Sequence, residues 1–193
     1  MTVTADDLDA ASASVARALL PTTAGSWSGA GTGTWDARHT VEHLGDTLVS
    51  FAAQVVARPT TRFVRFMAVA DDDASAAEVL EMALTGAGLL AATLRTAGPD
   101  VRAFHPTGLA DASGFAAMGC AELLLHGEDV ARGNGVALDP PRDVCARVLA
   151  RLFPHVAGSV TAVDPWDGLR WATHRLELPG LPSQAGWQWR AAP

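Results

Sequence analysis

The chain has 193 residues, enough for one compact domain with a small appendage. Its net charge is −7, all 14 basic residues are Arg, and no basic run offers the clustered cations that nucleic-acid binding needs. No apolar run approaches the length of a membrane span, MTVTADDLDA is too polar for a signal peptide, and Cys120 and Cys145 make no disulfide framework, so the expectation is a cytoplasmic protein with no membrane or nucleic-acid partner.

Thr4 caps a first helix near 4–20, with Asp6 and Asp7 in its electropositive first turn and Leu8, Ala11, Val15 and Leu19 on one face. Residues 21–34, rich in Gly, Ser and Thr, form a loop. Thr34 caps a second helix near 35–56, whose apolar stripe is Val41, Leu44, Leu48, Phe51 and Val55. Residues 58–73 connect, extended around Phe63–Ala70. Ser75 and Glu78 form a capping box for a third helix near 75–97, which Gly98-Pro99 ends. Asp111 caps a fourth near 111–132, and Asp139-Pro140-Pro141 opens a shorter helix to Phe153. Arg175–Leu178 and Trp187–Arg190 alternate in polarity and read as a closing hairpin. The pattern predicts a mainly α fold: a four-helix bundle over 1–135 and a small C-terminal α+β extension, helix plus hairpin, over 136–193.

The fourth helix, FAAMGCAELLLHGEDVARG, is apolar nearly all round and therefore central. Glu122, His126 and Asp129 nevertheless share one stripe of it, at i, i+4 and i+7. An ionised carboxylate inside a bundle is costly unless it is paired or metal-bound, and Glu and His four residues apart lean over the same turn. His43, at the border of the second helix's stripe, offers a third ligand, and two His with one Glu is a ligand set for catalytic zinc that leaves a position open. Other readings stand beside this one. Glu-x-x-x-His arises often by chance, and His39 and His43 can pair without the fourth helix. Asp129 is either an orienting partner of His126 or a solvated helix-end charge. Cys120 lies opposite Glu122 on the helical wheel and reads as core.

TWDARHTVEHL resembles the helix-two motif of the DinB-like metalloproteins, and AELLLHGEDVA resembles the later motif of their mycothiol-dependent maleylpyruvate isomerase branch. FHPTGLADASGF, PPRDVCARVLARLFP and WATHRLELPG are similar to segments of that branch too, so the likeness runs through nearly the whole chain in order. It implies a four-helix bundle with His43, Glu122 and His126 as metal ligands, zinc as the most expected divalent metal, and mycothiol or a similar thiol as cosubstrate. Arg175 matches a pocket arginine in a WATGR-like stretch, although His174 stands where that pattern has Gly. The implied activity is S-transfer or thiol-assisted isomerisation of a small electrophile, by a monomer or homodimer, with Arg175, Asp129 and His39 as candidate catalytic groups. A hydrolase using metal-bound water, with His39 or Asp129 as base, and a non-catalytic metal-containing binding protein are the rival readings.

Overall fold

The computed structural model describes residues 2–193, and the secondary structure of the described residues is helical, with no strand. Four long helices carry the bundle: α1 (Ala5–Leu19), α2 (Ala37–Ala57), α3 (Ala76–Thr96) and α4 (Ala112–Gly133). Three shorter ones follow, α5 (Arg142–Leu152), α6 (Pro154–Ala157) and α7 (Pro165–Ala172).

The start signals act mostly where the sequence puts them. Thr4 with Asp7 and Ser75 with Glu78 form capping boxes, and Asp111 accepts from Gly114 N at 2.7 Å. The second helix differs: Asp36, not Thr34, is its N-cap and accepts from His39 N at 2.8 Å. A carboxylate next to the free N–H groups displaces the weaker Thr cap.

Round the bundle the helices succeed one another as α1, α3, α2, α4, so α1 lies diagonal to α2 and α3 diagonal to α4. Leu8, Leu19, Leu44, Leu48, Leu80, Leu90, Phe115, Met118 and Leu123 fill the core. α2 and α3 pack closely because a Cβ at Gly86 would stand 3.1 Å from the Gly45 carbonyl, and one at Gly45 would stand 3.0 Å from Met82 Cε. α3 has 21 residues and a stretch of mean hydropathy 1.4, which is long and apolar enough to cross a membrane, whereas the sequence reading finds no apolar run of that length. Here its Val79, Ala83, Gly86, Leu90 and Leu94 face the bundle.

The expected hairpin does not form. Arg175 N bonds to Arg170 O at 2.8 Å and Arg190 N to Leu152 O at 2.9 Å, so donors a ladder would need are spent on helix ends, and Pro179 and Pro182 supply none. The alternation instead places Trp187 on Phe153 (ring centroids 5.8 Å apart) and Trp189 on His105 (6.0 Å). Arg151 pins the terminal backbone, donating to the carbonyls of Arg190, Ala191 and Ala192 as well as to Asp111. α7, which the sequence reading misses, starts at Asp164-Pro165 and buries Trp166, Leu169 and Trp171 in the same continuous core.

Candidate metal centre

α2 and α4 bring His43, Glu122 and His126 together, with one potential ligand atom from each within 4.8 Å of the others. Glu122 Oε2 lies 2.9 Å from His126 Nε2 and 3.9 Å from His43 Nε2. His126, when protonated, is an ion-pair partner for this buried oxygen, but the contact falls short of hydrogen-bond geometry and no other donor reaches it. A carboxylate oxygen in that state costs stability unless something cationic meets it. The three side chains therefore form a group that can hold a divalent metal.

Second contacts fix His126. Its Nδ1 lies 2.7 Å from Thr32 Oγ1, and Thr32 donates to Asp129 Oδ2 at 2.7 Å. The hydroxyl has one proton, and the carboxylate can only accept it, so Thr32 must receive the Nδ1–H of His126. That arrangement selects the tautomer whose Nε2 lone pair faces the group. Asp129 is buried and engaged on both oxygens: Arg175 reaches Oδ2 at 2.9 Å and Arg132 reaches Oδ1 at 3.0 Å. Burial pushes the Asp129 carboxyl up, but His126, Arg175 and Thr32 hold it well below the usual carboxylate range.

The other members differ in their charge tendencies. Burial lowers the pKa of His43, and the Glu122 charge only partly offsets it. Burial would lower His126 too, yet Asp129 and Glu122 raise it to about 9, so a proton and a cation compete for Nε2. Burial pushes Glu122 up, and His126, His43 and Arg175 more than reverse it.

The loop before α2 delivers Thr32. Gly31 N bonds to Trp35 O at 2.9 Å and Thr32 N to Thr40 Oγ1 at 2.9 Å. The loop can seat against the end of α4 because Gly133 has no Cβ to strike the Ala30 carbonyl. On the outer side the Trp35 ring lies 5.0 Å from that of His43, which is 37% exposed. A cleft of about 360 Å³, lined by Thr32, Asp129, Arg132, Arg175 and Trp187, adjoins the other side.

The proposed catalytic residues fall in different places. Arg175 is mostly buried and bonded to Asp129. His39 is 66% exposed, with Nδ1 2.8 Å from Asp36 Oδ1, and is not part of the group. Sequence reasoning does not single out Thr32, which lies 94 residues from His126, or His105, whose pKa burial lowers and the nearby Glu122 charge partly restores. The Gly-flanked hydroxyl of GTGT is the only local sign of the first, and nothing marks the second. No protein-family model matches this chain, and no curated protein or solved structure matches it significantly.

Proposed function

We propose that this protein is a divalent-metal-dependent enzyme, with zinc as the metal, that uses a low-molecular-weight thiol such as mycothiol for S-transfer or thiol-assisted isomerisation of a small electrophile. The observation that carries the metal is the buried Glu122 oxygen, which has no hydrogen bond and lies between two imidazole nitrogens. The thiol rests on the resemblance of TWDARHTVEHL and AELLLHGEDVA to the DinB-like, mycothiol-dependent motifs. When bound, the metal supplies Lewis acidity and favours thiolate over thiol.

The chain's own residues supply the rest. His43 offers a neutral nitrogen, His126 one that a metal would take in exchange for its proton, Glu122 one negative charge, and Thr32 with Asp129 holds the His126 ring in place. Trp35 gives the exposed side an apolar wall. Neither internal cysteine can provide the sulfur: Cys120 and Cys145 are fully buried, and burial pushes the Cys145 thiol up to about 12. A thiol nucleophile would therefore come from outside the chain. A water-activating hydrolase is less well supported, because Asp129 is fully engaged and His39 is turned to Asp36.

Elemental analysis should find about one equivalent of metal per chain, the count one His₂Glu group sets. Mycothiol added to cobalt-substituted protein should then produce a sulfur-to-metal charge-transfer band. Metal without any thiol response would remove the thiol and leave the metal; no metal would remove both.

A further inference from the structure

The connection between α2 and α3 presents a surface that the chain does not cover. Beyond a bend at Arg65, residues 66–71 run without helix or turn. Two α2 side chains hold the stretch down: Val64 N donates to Gln54 Oε1 at 2.8 Å and Ala68 N to Asp46 Oδ1 at 2.7 Å. Successive N–H groups of an extended chain alternate in direction, so with that of Ala68 turned inward, those of Met67 and Val69 turn outward. Among the described residues neither has a partner. The two residues are 76% and 66% exposed. An open backbone edge bearing apolar side chains is a template for another strand.

The charges on either side indicate which strand. Arg62 and Arg65 precede the edge, and Asp71, Asp72 and Asp73 follow it. All five are exposed, and none joins the ion pairs among the described residues, which involve other side chains. At the acidic end a cleft of about 360 Å³ opens between Val69, Asp71, Asp73, Glu78 and Met82, with a predominantly polar lining whose carboxylates suit an arginine side chain.

We infer that the protein self-associates by antiparallel pairing of residues 65–71 with the same residues of a second copy. A two-fold axis at Ala68 sets Met67 opposite Val69 of the second copy, and Val69 opposite its Met67. These become doubly hydrogen-bonded pairs, the kind that outward N–H groups at 67 and 69 permit. The same axis sets Arg65 opposite Asp71, twice. An unrelated basic or acidic peptide would answer only one half of this pattern, and an anionic membrane that attracted Arg62 and Arg65 would repel the three aspartates. The paired surface is small, so the dimer belongs to the weak, concentration-dependent class.

Sedimentation equilibrium of the full chain tests this, with Arg65→Asp and Asp71→Arg as probes. Both sites are exposed and distant in role from the metal group, and unchanged circular dichroism checks folding. The wild type should show a monomer–dimer equilibrium. Each variant alone faces like charges across the axis and should dimerise at least about tenfold more weakly. An equimolar mixture restores two opposite-charge contacts and should recover dimer. A monomeric wild type at the highest concentration reached, or a dimer that neither variant weakens, overturns the inference. So does a monomeric wild type that sediments with phosphatidylserine-containing vesicles, which would make the edge a lipid contact.

Discussion

Glu122 and Asp129 are both buried carboxylates on one stripe of α4, two turns apart, yet their surroundings differ. Asp129 has its charge answered by Arg175 and Arg132 and receives the Thr32 hydroxyl. Glu122 faces two imidazoles and keeps an oxygen without a hydrogen bond. A carboxylate with both oxygens engaged is held as a structural element, whereas one with an oxygen left without a hydrogen bond in the same helix is available to a metal ion. The partner inventory, not the residue type or its burial, separates the two roles.

Three measurements would break or sharpen that contrast. The largest effect belongs to Glu122→Ala, which should abolish stoichiometric metal in elemental analysis while leaving the helical circular dichroism intact; retained metal would place the ion elsewhere. Asp129→Asn should keep the metal but weaken it by about 10–100-fold in chelator competition, as expected when an orienting partner of a ligand is lost. Equal losses in the two variants would erase the distinction. The smallest effect is on acid stability. Because the folded-state pKa of Asp129 is depressed, its contribution is present above the unfolded value of about 3.9 and is lost as pH falls below it. Metal-free wild type should therefore lose more stability than Asp129→Asn on acidification through that window, and parallel urea-melt curves would show that the Asp129 charge contributes nothing.

How far the sequence could be read depended on the range of the interaction. Helix positions rest on 3.6-residue periodicity and on caps three residues away, so α1 to α5 were legible with their ends shifted by a residue or two, Asp36 replacing Thr34. Glu122 and His126 were visible as a pair because one helix carries both. His43 was placed by motif, since periodicity says which face a residue occupies but not what faces it. Thr32 was invisible because its role depends on a loop folded back across 94 residues. The C-terminal alternation misled for the same reason. A period of two marks one buried face but does not name the backbone partner, and the ends of α5 and α7 took the donors first.

The Gly45–Gly86 contact bears on the centre from behind. Gly45 comes two residues after His43, so the two point to nearly opposite sides of α2, about 200° apart. A single methyl group at position 45 or 86 would wedge α2 away from α3, and the displacement would be delivered to the imidazole on the other side of the rod. The reach of the His43 imidazole toward the group is thus calibrated by hydrogen atoms that touch neither Glu122 nor His126. Mutational tolerance at the centre extends to positions that a map of its immediate neighbours would leave blank.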